Sequence, residues 1–286
     1  MGVCCISATK AFNTASERPN TMNQVQLIQS RQNKTIKEII KLRDKKQRRK
    51  QKRFTVEGFR FIQEALVSGV DVTGICFSSD VANKVHKELA DLLQPGIQLF
   101  EMPPEMFHQI AETESPQGIL AVAKMPEHSL DTAYRKGFRG LLINNIQDPG
   151  NVGTMIRSAH ALGFDAVAIT KGSADTFNSK VLRSTMGSVF HIPVIDNLDE
   201  TEVFTFCREK NLRLIAACLE QAVPCHEVEL TSDIFLVIGN EGKGVSEAIL
   251  DSATLKVFIP MPGRAESFNA GVAASILMYE SNRQRR

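Results

Sequence analysis

The stretch GLLINNIQDPGNVGTMIRSAHALGFDAVAIT, residues 140–170, decides the fold of this chain. Its two ends, GLLIN at 140–144 and AVAIT at 166–170, are apolar without alternation, as strands buried on both faces must be. Residues 152–162 between them read as a helix. A strand, a helix and a second buried strand predict parallel pairing with helices on both faces of the sheet. The same alternation continues outward through LRLIAAC (212–218), IFLVIG (234–239) and KVFIP (256–260) to a final apolar helix. Residues 140–286 therefore read as one α/β unit.

Ligands in parallel sheets gather at the carboxyl ends of the strands, and three loops there carry unusual residues. In the first, Pro149 and Gly150 predict a turn, Asn151 a helix N-cap, and Gly153 a place where another backbone approaches. Arg157 stands among Thr154, Ser158 and Ala159, small enough to leave a guanidinium open to a phosphate or another chain; the plainer alternative is a surface ion pair. In the second, Gly239, Gly242 and Gly244 surround Asn240, Glu241 and Lys243. The spacing fits neither a phosphate-cradling GxxxxGK[ST] nor a dinucleotide GxGxxG, and a tight turn is the plainer alternative. The third is KVFIPMPGRAESFNAGVAASILMYE, residues 256–280, where Glu266, Ser267 and Asn269 are expected at the first turn of the last helix. A helix start offers unpaired N–H groups, so these residues either cap it, with Ser267 as N-cap, or hold a ligand.

Residues 24–124 read as a smaller α/β unit. A basic helix is expected over 34–52, a helix over the FRFIQEALV run ending at Gly69, a strand at VTGICF (72–77), a helix at 85–93, a strand at IQLF, a short helix at 104–110 and a closing strand at GILAVA (118–123). Residues 125–139 turn polar and read as a linker. Residues 1–23 are Ser/Thr/Ala-rich and read as a disordered extension, or as an upstream start with Met22 as the functional beginning; the myristoylation pattern fails at Ile6, and a transit peptide fits the scarcity of acids but not that of arginine.

With 43% hydrophobic and 23% charged residues the 286-residue chain reads as soluble and globular, long enough for about two domains. No apolar run reaches the roughly 18 residues of a membrane span. The six cysteines show no CxxC pair and no zinc spacing with histidine, which argues against a structural metal or a disulfide framework and for a reducing, cytoplasmic setting. The net charge of +2 is unevenly spread: residues 31–53 hold 12 of the 34 Lys and Arg against Glu38 and Asp44, a local +10 that leaves −8 elsewhere. So concentrated a cluster points to a polyanion, and nucleic acid fits better than an anionic membrane because large apolar anchors are missing. A solvated basic face or tail is the alternative.

Taken together, the three loops resemble the three motifs of the SpoU/TrmH family of RNA ribose 2′-O-methyltransferases, in the SPOUT superfamily. They read Asn151-x-Gly153-x-x-x-Arg157, Ile238-Gly-Asn-Glu-Gly242, and Ile259-Pro-Met-x-Gly with Glu266-Ser267-Phe268-Asn269. The likeness spans residues 140–282, and residues 24–124, above all Val56-Glu57-Gly58, are similar to the ribosomal-protein-like substrate-binding module of these enzymes. The resemblance implies a carboxyl-terminal trefoil knot, an exception to the rule that chains do not thread, and a homodimer packed through the knot and the helix at 272–279. It also implies S-adenosyl-L-methionine bound near Ala217, Gly239, Ile259 and Phe268, the last replacing the family's usual leucine.

The implied reaction is in-line methyl transfer to a ribose 2′-hydroxyl of RNA, ribosomal RNA ahead of transfer RNA. Arg157 would anchor a phosphate and polarise the hydroxyl; a guanidinium, with a pKa above about 12, makes a poor base. Asn151 would orient the ribose or Arg157, Glu241 would fix its loop or pair with Arg157, and Ser267 and Asn269 would organise the site. No metal is implied, because a sulfonium is already an activated leaving group. A non-catalytic RNA-binding or ribosome-assembly protein on the same scaffold is the competing class.

Overall fold

The computed structural model describes residues 24–285, so the expected extension at 1–23, with Cys4 and Cys5, lies outside the described residues. The N-terminal half is built from strands β1 (Val25–Leu27), β2 (Arg53–Glu57), β3 (Val72–Ser78), β4 (Gln98–Met102) and β5 (Ile119–Lys124), ordered β1-β4-β3-β5-β2. β1, β4 and β3 run parallel, while β5 is antiparallel to both β3 and β2. Helices α1 (Lys34–Lys41), α2 (Lys45–Gln51), α3 (Phe59–Val67), α4 (Ala82–Leu89) and α5 (Pro104–Ile110) accompany it. The single basic helix expected over 34–52 is two helices. Asp44 breaks it by accepting from the Gln47 N–H at 2.9 Å, which makes it an N-cap, and Lys52 ends the second piece in a left-handed conformation. The helix expected at 85–93 starts three residues earlier and finishes as a 3-10 turn.

Residues 125–139 contain the short helix α6 (Leu130–Ala133), and they are anchored. Phe138 is fully buried, and its ring meets Tyr134, Phe206 and Phe235 with centroids 5.9, 6.1 and 5.3 Å away.

The C-terminal half is a seven-stranded, all-parallel sheet ordered β10-β12-β9-β11-β6-β7-β8. Its strands are β6 (Arg139–Ile143), β7 (Ala166–Thr170), β8 (Val194–Leu198), β9 (Arg213–Ala217), β10 (Val223–Pro224), β11 (Ile234–Ile238) and β12 (Leu255–Phe258). β6, β7 and β11 are buried at every residue, which is why their sequences show no alternation. Five helices complete it: α7 (Pro149–Ala161), α8 (Ser179–Thr185), α9 (Glu200–Lys210), α10 (Glu247–Ser252) and α11 (Ala270–Arg283). The elements between 179 and 210 carry no periodicity strong enough to stand out: β8 mixes Ile195 with Asp196 and Asn197, and α8 is one short polar helix.

The two halves share a core. Phe54 packs on Phe177 with centroids 4.7 Å apart, and Phe61 stacks on Phe190 at 5.1 Å. Beside them Arg48, expected as part of an RNA-facing basic cluster, is buried with its side chain only 4% exposed. It pairs with Asp175 of the C-terminal half and donates to the Leu42 and Arg43 carbonyls at 2.7 Å each. Arg49 reaches Asp196 at 3.4 Å, Lys52 pairs with Glu127, and Arg43 donates to the Gln109 and Ala111 carbonyls. These four of the twelve cations are engaged within the protein, but only Arg48 is a buried support, since a buried guanidinium persists only where its donors are matched; the Lys52–Glu127 pair is exposed on both sides. Among the described residues Lys37, Lys41, Lys46 and Lys50 have no hydrogen-bond or ion-pair partner, while Lys45 lies near enough to Asp196 to favour its charged form.

Candidate active site

Helix α7 starts the site. Asp148, not Asn151, is its N-cap, accepting from the Asn151 N–H at 2.7 Å, and Pro149 and Gly150 are its first helical residues rather than a separate turn. Proline is pre-set for the first helical position, so an Asp-Pro pair was the signal for this start. The helix buries Val152, Met155, Ile156 and Ala159 on one side. Gly153 faces α8, where a Cβ would overlap that of Ser184 and come within 2.8 Å of the Val181 carbonyl, as the expected close approach requires.

The second loop is a tight turn. Asn240 and Gly244 exchange backbone hydrogen bonds at 2.9 and 2.8 Å, and the Asn240 side chain accepts from the N–H groups of Gly242 and Lys243 while donating to the Asn145 carbonyl at 2.9 Å. A Cβ on Gly239 would overlap the Val245 amide and the Gly244 carbonyl. Gly239 is therefore demanded by the turn.

In the third loop the cap differs from expectation. Asn269 is the N-cap of α11, accepting from Gly271 and Val272, whereas Glu266 and Ser267 precede the helix and are exposed. The Gly/Ala side of α11 packs inside the chain: a Cβ on Gly271 would press Thr154 at 3.2 Å, and Ser275 bonds Ser158 at 2.8 Å. The small residues expected at a contact between chains are thus used for α11 on α7.

One relay joins the three loops. The Asn269 amide nitrogen donates to the Asn151 oxygen at 2.8 Å, and the Asn151 nitrogen donates to Glu241 Oε1 at 2.5 Å. The cap fixes its direction: with the Asn269 oxygen committed to backbone N–H groups, its nitrogen must face Asn151, whose own nitrogen then needs an acceptor. Glu241 is that acceptor and does not pair with Arg157. Among the described residues Arg157 is exposed and has no hydrogen-bond or ion-pair partner, which removes the plain ion-pair reading. Asn269→Asp keeps the cap but loses the donor to Asn151. It should melt close to the parent while methyl transfer falls, whereas Asn269→Ala should also lose about 1 kcal/mol of stability. Equal activity of Asn269→Asp and parent would show the relay to be idle.

Beside the relay lies a largely apolar cavity of about 160 Å³ that brings together Ala217, Ile259, Phe268, Ser267, Glu266 and Cys218. Gly239 does not line it. Phe268, 41% exposed, offers its ring as a stacking surface. Burial pushes the Cys218 thiol up, only partly opposed by Lys256, so it serves as neutral wall. This cavity suits an adenine-bearing cofactor: apolar walls for the base, and a carboxylate and a hydroxyl at its rim. Among the described residues no cluster of His, Cys, Asp and Glu could hold a metal ion.

A support unremarked in the sequence lies behind the second loop. Fully buried Asn144 donates to Glu200 at 2.7 Å and accepts from the Ser246 N–H at 2.9 Å, and the Ser246 hydroxyl closes the set on Glu200 at 2.8 Å. Nothing in the sequence links positions 56 and 46 residues apart; only the sheet does.

Residues 140–279 match the SpoU rRNA Methylase family, and residues 33–121 match the MRM3-like substrate binding domain. The chain is 40% identical over 252 residues to the 23S rRNA (guanosine(2553)-2′-O)-methyltransferase RlmP of Bacillus subtilis, covering 88% of this chain and 97% of that one. It is 32% identical over 240 residues to the 23S rRNA (uridine(2479)-2′-O)-methyltransferase of Streptomyces viridochromogenes, covering 81% and 83%. The crystal structure of the SpoU methyltransferase AviRb from that organism, in complex with AdoMet, superposes with a TM-score of 0.82 at 29% identity, covering 88% of this chain and 98% of AviRb. The chain belongs to the SpoU rRNA methylase family.

Proposed function

We propose that this protein methylates a ribose 2′-hydroxyl of ribosomal RNA, with S-adenosyl-L-methionine as methyl donor. The observation that carries the reading is the Glu241–Asn151–Asn269 relay, which ties the three motif loops together beside a cavity suited to adenine. The chain is an RNA 2′-O-methyltransferase, and its relatives act on 23S ribosomal RNA.

When bound, the cofactor supplies a sulfonium methyl ready for in-line transfer. Ala217, Ile259 and Phe268 hold its adenine by apolar contact, and Gly239 acts indirectly by shaping the neighbouring turn. Arg157, free and exposed, grips a phosphate beside the target ribose and polarises the hydroxyl. Asn151 has both amide atoms committed, so its role is to hold the loops in register. Ser267, unpaired at the cavity rim, faces the reacting end.

Residues 24–124 serve as the RNA-binding unit, 125–139 as an anchored linker and 140–286 as the catalytic unit. The carboxyl-terminal segment forms a trefoil knot, supported by α11 lying against α7 and β11 in one parallel sheet system. Val272 and Tyr279, exposed on α11, suit a homodimer contact; light scattering that reads a single chain would remove it. Its proposed place of work is the cytoplasm, with the ribosomal RNA it acts on. Among the described residues no helix is long and apolar enough to cross a membrane.

The test of the activity is a map of 2′-O-methyl positions in total RNA with and without the gene, alongside calorimetry with S-adenosyl-L-methionine. One ribosomal position should lose its methyl group, and the cofactor should bind. An unchanged map with no cofactor binding would leave only the non-catalytic reading.

A further inference from the structure

A cleft of about 460 Å³ opens between the two halves of the chain, away from the cofactor cavity. From the N-terminal half it is lined by Glu57, Arg60, Phe61 and Glu64, and from the C-terminal half by Arg183 and Met186, at the end of α8. Its polar groups are unevenly matched. Glu57 is occupied by the Glu112 N–H at 2.9 Å and the Thr113 hydroxyl, and Glu64 Oε1 lies 2.5 Å from His191 Nε2. Arg60 and Arg183 are exposed and, among the described residues, have no hydrogen-bond or ion-pair partner. The apolar walls are incomplete in the same way. Phe61 has one ring face on Phe190, and Met186 is 71% exposed at a left-handed position (φ 49°). An exposed thioether and an aromatic edge lie between two guanidinium groups that, among the described residues, only solvent satisfies, so apolar surface and unpaired positive charge are offered together.

The position of the cleft relates it to the reaction. Arg183 is followed on α8 by Ser184, the residue against which Gly153 packs, and Gly153 is two residues from Asn151. Arg157 lies one helical turn beyond Gly153 on the same side of α7. Arg60, Arg183 and Arg157 therefore stand on α3, α8 and α7 in turn, leading from the N-terminal half to the reacting end.

We propose that this cleft is a second RNA subsite. It holds one unpaired nucleotide of the substrate, near the methylated one in the folded RNA, with its base against Phe61 and Met186 and its phosphates on Arg60 and Arg183. Phosphate contacts to fork-shaped guanidinium groups and base stacking on aromatic side chains are how single-stranded RNA is gripped. Because the subsite has walls from both halves, it works only while they are held in fixed relation, which gives the buried Arg48–Asp175 pair a role in substrate selection. The inference rests on the reading of the protein as an RNA methyltransferase.

The test uses the full chain, a 23S ribosomal RNA transcript and radiolabelled cofactor. The double variant Arg60→Gln, Arg183→Gln should lower the slope of log K against log salt by about 1.4, or roughly ten-fold in RNA affinity at physiological ionic strength. Its cofactor affinity and melting temperature should match the parent, since neither side chain has a hydrogen-bond or ion-pair partner among the described residues. Met186→Asp, which tolerates the left-handed backbone and places a carboxylate in the cleft, should raise KM for RNA as well. A parent that binds and methylates the transcript, with both variants matching its slope and KM, would overturn the subsite alone. A parent that neither binds nor methylates RNA would overturn both the subsite and the functional reading beneath it.

Discussion

Arg157→Ala should bind S-adenosyl-L-methionine within about two-fold of the parent and lose roughly 10²- to 10³-fold in methyl transfer at saturating RNA, the loss typical of removing one charge-stabilising group from an active site. Arg157 is exposed on α7 and unpartnered among the described residues, so its removal should leave stability within about 0.5 kcal/mol of the parent. A large stability change would mean that the guanidinium has a structural partner supplied by another chain. Arg157→Lys separates charge from shape. Lysine keeps the positive charge but not the planar fork, so an intermediate rate identifies a bidentate phosphate contact, and a fully recovered rate identifies a point charge. Single-turnover kinetics with the parent and both variants would show this directly, and parent-like turnover by Arg157→Ala would remove the residue from the mechanism.

Arg48→Met should destabilise the fold by about 3–5 kcal/mol, the cost of breaking a buried ion pair by removing one partner. The Asp175 side chain is only 7% exposed, so it would be left charged and unmatched, and the Leu42 and Arg43 carbonyls would lose their donor. Adding Asp175→Leu should recover most of the loss, because an apolar pair of similar bulk carries no desolvation penalty. Urea denaturation of the single and double variants measures both effects. A single-variant loss below about 1 kcal/mol would show that water or a neighbouring group reaches Asp175. Since the pair bridges the two halves, Arg48→Met should also impair RNA methylation at temperatures where it remains folded.

Some of the site was legible along the chain and some was not. The three loops stood out because each follows an uninterrupted apolar strand, and a strand buried on both faces leaves chemistry only at its ends. Their partners did not stand out. That Glu241 bonds Asn151 rather than Arg157 depends on the direction in which the Asn269 cap turns its amide. That Gly239 is demanded by a tight turn depends on the Val245 amide and the Gly244 carbonyl lying against it. The basic run at 31–53 shows the same limit. Its charge pattern suggested one helix with one purpose, yet Asp44 divides it, and Arg48 turns inward because Asp175, 127 residues away, waits there.

By itself, the sequence of this protein determined the parallel α/β architecture, the order of the three motif loops and the residue types that meet in the site. Those follow from local rules: apolar runs must be buried, glycines mark tight turns, and caps start helices. The tertiary structure alone decided which polar groups pair, which of the arginines are consumed as internal supports, and which, like Arg60, Arg157 and Arg183, have no partner among the described residues. The physical reason is that hydrogen bonds and ion pairs are settled by distances of a few ångströms between segments far apart in sequence, and only the packed sheets fix those distances.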